Sequence, residues 1–170
     1  MYSKIFNIDS NFKNEMWDLL KKLYPIPRTI LGKEYEESLE IIKKLIPIEN
    51  ISLPSGTSAG SWTIPKKWEV CEARIETLDG KTIIDFKNNP MHLWQYSISV
   101  DKIISRNDLE KHLSSKVTIP NAIPHNVAFY SNTWGFSLTQ NQKNELTDEN
   151  YRVFIDSNFT NSHLLIGQLF

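Results

Sequence analysis

At 170 residues the chain suits one domain, or one and a half, and is long enough to bury a proper core. Hydrophobic residues make up 40% and charged residues 23%, an ordinary globular balance. The net charge is -1 with Lys and Arg spread along the chain, so there is no basic stripe of the kind that nucleic acid or an anionic membrane surface would require.

In chain order, Met1 to Asp9 carries one Lys and no long apolar run, which reads as the absence of a signal peptide. After Asp9-Ser10, either of which can cap a helix, apolar residues at Phe12, Met16, Leu19, Leu20 and Leu23 share one helical face. This helix should stop at Tyr24, because Pro25 disfavours helical geometry in the residue before it. Residues 25–32 form a stiff connector. A second amphipathic helix is expected over 33–45, with Tyr35, Leu39, Ile42 and Leu45 or Ile46 inward. Its acids lie early and its bases late, as the helix dipole favours.

From Asn50 the hydrophobic period changes to two. Ile51 and Leu53 mark a short strand, 54–60 a loop and 61–64 another strand. Residues 68–77 alternate, turn at Asp79-Gly80 and return over 82–86, a hairpin pattern. Further strands are expected at 93–100, 127–130 and 135–138, with a short helix at 106–113 between the first two. Thr139 should cap one helical turn before Leu146, and 151–156 should begin a pair with the terminal strand 162–170. The fold class is therefore α+β: two N-terminal helices, a mainly antiparallel β domain inserted in the middle, and two terminal strands. The corresponding divisions are 1–49, 50–146 and 147–170. Strand 162–170 ends on Leu169-Phe170 without a turn or polar tail, so further polypeptide is expected after it, and its edge is a template for homodimerisation.

Little chemistry is visible. His92, His112, His125 and His163 show no metal-ligand spacing, and the only cysteine, Cys71, excludes an internal disulfide or a thiolate zinc cluster. Lying among alternating apolar residues, Cys71 reads as a buried, inert thiol. Ser55 and Ser97 lack a nucleophile elbow, and no glycine-rich phosphate cradle occurs. No stretch approaches the roughly 20 apolar residues of a membrane helix, and a cytoplasmic location is expected. Trp62, Trp68, Trp94, Tyr96, Tyr130 and Trp134 read mainly as core, with Trp134, in a turn with Asn132, Thr133 and Gly135, as the exposed exception. Arg28 sits beside Pro27 on the connector, where its guanidinium could meet a substrate carboxylate through two hydrogen bonds or serve a helix-terminal or inter-domain contact. The candidate substrate-binding residues are Arg28, His92 and Trp134; no catalytic residue and no metal ligand is assigned.

Several segments, taken in order, carry a resemblance: Leu23-Tyr24-Pro25-Ile26-Pro27-Arg28-Thr29-Ile30-Leu31-Gly32, Leu53-Pro54-Ser55-Gly56-Thr57, Trp62-Thr63-Ile64-Pro65-Lys66-Lys67-Trp68, Ile84-Asp85-Phe86, Ala122-Ile123-Pro124, Trp134-Gly135-Phe136 and Tyr151-Arg152-Val153. Together they resemble a bacterial family of aminopeptidase-like proteins, similar to dizinc exopeptidases and carrying an inserted domain of unknown function. Pro27 and Thr29 depart from the Cys and Ser usual at those positions. The resemblance implies that the flanks are the amino-terminal part of an α/β zinc-peptidase-like domain. It also implies that zinc, its ligands and the general base belong to a C-terminal peptidase-like domain beyond residue 170, which leaves this chain inactive alone. A second reading is a β module that binds a glycan or peptide through exposed Trp and Tyr, in cell-surface polysaccharide pathways by resemblance only. A third is a purely structural or regulatory insert.

Overall fold

The structure is a computed structural model describing residues 10–169; the proposed Asp9 cap and Phe170 lie outside that range. Helix α1 spans Ser10–Leu23, one residue shorter than the periodicity predicts, and α2 spans Lys33–Lys43. Because α2 stops at Lys43, Leu45 and Ile46 do not turn inward as expected; Leu45 is 63% exposed. Leu39 does face inward. On α1 the apolar stripe stands largely in solvent, with Met16, Trp17 and Leu20 all exposed.

The central sheet has the order β5-β4-β9-β6, formed by β5 (Thr82–Asp85), β4 (Lys67–Thr77), β9 (Asn150–Thr160) and β6 (Val100–Ser105). All three pairings are antiparallel. The hairpin from β4 to β5 forms as predicted, and Gly80 supplies the positive φ of 90° that its turn requires. One face of the sheet is apolar: Ala73, Ile75, Ile84, Tyr151, Val153 and Ile155 are buried beneath Leu93, Leu109, Phe136, Leu138 and Leu146. The other face is wet and charged. There Arg74 bridges Glu72 and Glu76 at 2.7 and 2.8 Å, and Arg152 pairs with Asp101. This one-sided burial is the ordinary arrangement of an antiparallel sheet packed against a layer of irregular chain.

A register shift interrupts β4 opposite β9, where Val70 faces Ser157 and Glu72 faces Asp156. Cys71 is the extra residue of this bulge. Before it, Trp68 and Val70 turn inward; after it, Ala73 and Ile75 do. The bulge thus moves the apolar set by one residue and leaves Cys71 exposed, contrary to the buried thiol that simple alternation predicts.

Three further expectations are corrected. Strand β9 does not pair with the terminal strand: it lies between β4 and β6, at the centre of the sheet, and β10 (His163–Gln168) pairs instead with β1 (Glu49–Pro54). Residues 93–100 are not a continuous strand, because Tyr96 takes a left-handed φ of 67° that breaks the pleat; β6 begins only at Val100. Residues 127–130 form only the bridge from Gln95 to Val127, and Tyr130 is also left-handed at 55°.

The remaining elements are short. They are β2 (Ser58–Ala59) with β3 (Trp62–Thr63), α3 (Arg106–Leu109), β7 (Leu113–Ser114) with β8 (Phe136–Ser137), and α4 (Gln140–Asn144). The last opens on the anticipated Thr139, which forms a full capping box with Gln142. A second, smaller core of Leu31, Ile64 and Leu164 joins the connector, the β2–β3 loop region and the β1–β10 ribbon. Gly167 in that ribbon lies under Ile48 and Leu39; a Cβ there would stand 2.9 Å from Ile48 Cδ1, so the helix α2 side of the ribbon approaches closely. The α+β class expected from the sequence holds.

Candidate functional site

Pro25 ends α1, and the chain then folds tightly, with the Arg28 amide donating to the Ile26 carbonyl at 2.9 Å. This places Arg28 so that its Nη1 donates to the Leu23 carbonyl at 2.6 Å. Leu23 is the last residue of α1, where carbonyls lack intrahelical partners and the dipole is negative, so the guanidinium caps the helix. Gln95 Nε2 in turn donates to the Arg28 carbonyl at 3.1 Å and ties the connector to the β unit.

Between connector and β unit lies a cleft of about 600 Å³. On one side are Tyr24 and residues 25–29; on the other are Phe86, Asn88, Asn89, Met91, Leu93 and Gln95. Trp68 contributes to the floor, held by its Nε1 donating to the Ser97 carbonyl at 2.8 Å, and His125 stands exposed at the rim. Among the described residues, no Asp or Glu lines this cleft. Asn89 caps the 3-10 turn Pro90–His92 by accepting from the Met91 amide at 3.0 Å, which fixes that wall.

Only Arg28 of the three sequence-derived candidates lines the cleft. His92 belongs to the same 3-10 turn, but its ring is buried at 5% exposure with Nδ1 2.7 Å from the Ser137 carbonyl. Trp134 is also 5% exposed, which overturns its reading as an exposed ring. His112 stacks on it at 3.8 Å and 8°, Lys102 Nζ lies 5.0 Å from the ring centroid, and Phe136 meets it edge-on. A turn that looks solvent-facing in sequence is here folded onto the core. The other aromatics do not form a platform either. Trp68 and Tyr96 stack at 5.9 Å, and Phe129 and Phe159 close around Tyr96. Burial, with the nearby Tyr130 phenol adding, pushes the Tyr96 hydroxyl up to about 12. Asn88, Asn89, Gln95 and His125 were not visible as site residues, because only the meeting of connector and β unit brings them to one place. The faint signals were the Asn88-Asn89-Pro90 break and Pro124 before His125.

A second depression, of about 450 Å³, opens on the wet edge of the sheet by Glu76, Lys102 and the Asp101–Arg152 pair. Its acids are already paired, Glu76 with Arg74 and Asp101 with Arg152, whose Nε and Nη2 each lie 3.2 Å from an Asp101 oxygen. Among the described residues, no three His, Cys, Asp or Glu side chains are grouped to hold a metal ion. Their donors therefore do not fit the zinc that the resemblance implies, and no step through zinc is derived for them. Among the same residues no helix is long and apolar enough to cross a membrane.

Residues 67–158, more than half of the chain, match the family described as "Domain of unknown function (DUF2172)". The match coincides with the central sheet and its covering layer, from the first residue of β4 almost to the end of β9. A curated relative from Clostridium acetobutylicum, "Putative polysaccharide biosynthesis protein with aminopeptidase-like domain", is 35% identical over 168 residues, covering 99% of this chain and 39% of its own length. A crystal structure of a "putative peptidase" from Clostridium acetobutylicum superposes with a TM-score of 0.83 at 36% identity, over 92% of this chain and 37% of that one. The chain thus spans well under half the length of the relatives it matches. It belongs to the DUF2172 family, and its relatives are aminopeptidase-like.

Proposed function

We propose that the chain is the amino-terminal, cleft-flanking part of an aminopeptidase-like zinc hydrolase, with the metal centre and general base carried by the portion of its relatives that it does not span. The observation that carries this reading is the 35% identity along 99% of the chain to a protein named for its aminopeptidase-like domain. The exposed apolar stripe of α1 supports it, since such a face has the character of a surface made for further polypeptide. In this reading the helices before Asn50 and the β1–β10 ribbon belong with the peptidase-like domain, and the β4–β9 sheet with its covering layer forms the inserted wall of the substrate cleft. No residue of this chain is given a catalytic role. The zinc is bound outside it, the partner is the C-terminal peptidase-like domain, and the setting is the cytoplasm. The outer edge of β10 remains a candidate for pairing with a second copy.

The test is hydrolysis of amino-acid amides. With zinc added, the 170-residue chain should give no turnover above buffer, whereas a polypeptide of the relatives' full length should be active. Robust metal-dependent hydrolysis by the 170 residues alone would overturn the proposal.

A further inference from the structure

We infer that the cleft between the connector and the β unit binds a small carboxylate with an apolar body. The inference rests on the cleft's own composition and not on the peptidase reading. Arg28 is exposed, and its guanidinium carries five N–H donors, of which the helix cap on Leu23 uses one. Among the described residues no carboxylate pairs with it and no acid lines the cleft, so an incoming anion meets no like charge from them. The Asn88 amide and the His125 ring form no side-chain hydrogen bond among the described residues and supply further polar contacts at the walls. Between them the surface is apolar, from Ile26 and Pro27 across to Phe86 and Leu93. The volume lies within the roughly 300–1,000 Å³ of ordinary small-molecule sites.

The charge count selects among anions. Among the described residues Arg28 is the one Arg or Lys in the lining, and a planar fork offering two parallel N–H groups matches one carboxylate; a phosphate dianion calls for more positive charge. Arg28 is also held in place at both ends: its own backbone carbonyl is tethered by Gln95, and its side chain by the Leu23 carbonyl. Less conformational freedom is therefore lost when a ligand arrives.

The experiment titrates the 170-residue chain with N-acetylphenylalanine, its carboxamide and phenyl phosphate, following the Arg28 and Gln95 side-chain resonances and the Trp68 indole N–H by NMR. The acid should bind about tenfold or more tightly than the carboxamide and the phosphate, and Arg28→Gln should bring the acid down to the level of the amide. Arg28→Gln also removes a helix cap, so helicity is measured beside it. His125→Gln, which touches no helix end, should weaken the acid by a few-fold without changing the circular dichroism. Equal binding of acid and carboxamide, or no response of Gln95 and Arg28 to the acid, overturns the inference, and tighter binding of the phosphate overturns the choice of carboxylate. Since none of these readouts involves hydrolysis, the outcome is separable from that of the peptidase test.

Discussion

The indole of Trp94 lies flat against the backbone of Gly135, so closely that a Cβ on Gly135 would stand 2.4 Å from the ring. The two residues are also joined by the Trp94 amide donating to the Gly135 carbonyl at 2.9 Å, and the Gly135 amide donates to Ser97 Oγ at 3.2 Å. The glycine is thus required by close approach and not by its dihedral angles. Gly135→Ala should cost about 1–3 kcal/mol, the usual range for overpacking a filled site, read from urea unfolding. Trimming the ring in the same protein, as Trp94→Leu, should make the added methyl less costly than it is beside Trp94. An unmoved midpoint in Gly135→Ala would mean that the Trp94 ring gives way to the added methyl without cost.

Cys71 should react with a thiol reagent in the native protein, at a rate unchanged by low concentrations of urea, because it is the extra residue of the β4 bulge and faces solvent. Cys71→Ser should shift stability by no more than about 0.5 kcal/mol, as for an exposed position without a specific partner. Labelling that appears only on unfolding would return Cys71 to the core.

Tyr96 is buried, yet its hydroxyl has no hydrogen-bond partner among the described residues. Tyr96→Phe should therefore be neutral or stabilising by up to about 1 kcal/mol, since the lost group was desolvated without compensation. The pH dependence has a definite sign. The folded value is raised from 10.0 to about 12, so the unfolded chain ionises first. The contribution to stability is fully present below pH 10 and is lost as pH rises from there towards 12. Alkaline unfolding curves of the Phe variant should lack this component; identical alkaline limbs would refute it.

On the wet face of the sheet, the Lys87 ammonium, followed by the Arg74 guanidinium, holds the Glu72 carboxyl below its ordinary value of 4.5. Both contacts are short, 2.8 Å to Lys87 and 2.7 Å to Arg74. A depressed acid contributes stability above its unfolded value and loses it as pH falls through the folded one, so the window lies below 4.5. Glu72→Gln should flatten the acid limb of the stability profile there. At about 1 M salt, where screening acts over roughly 3 Å, wild type and variant should converge. Persistence of the difference in high salt would point to packing instead of charge.

Local pattern was enough to determine the elements whose stabilising contacts lie near in sequence: α1 and α2 from their helical periodicity, the β4–β5 hairpin from alternation around Asp79-Gly80, and the Thr139 capping box. It also located the connector and Arg28, because prolines act on their immediate neighbours. Tertiary structure alone decided the rest. The bulge at Cys71 exists only opposite β9, and β9 finds β4 across more than seventy residues of chain, so neither the exposed thiol nor the central place of β9 could be read from alternation. The left-handed backbone of Tyr96, the inward turn of Trp134 and the tethering of Arg28 by Gln95 likewise depend on long-range packing. A periodic pattern reports which face of an element is apolar; what that face meets, and which polar groups converge on one cleft, depends on contacts that become favourable only once distant segments have paid the entropy of meeting.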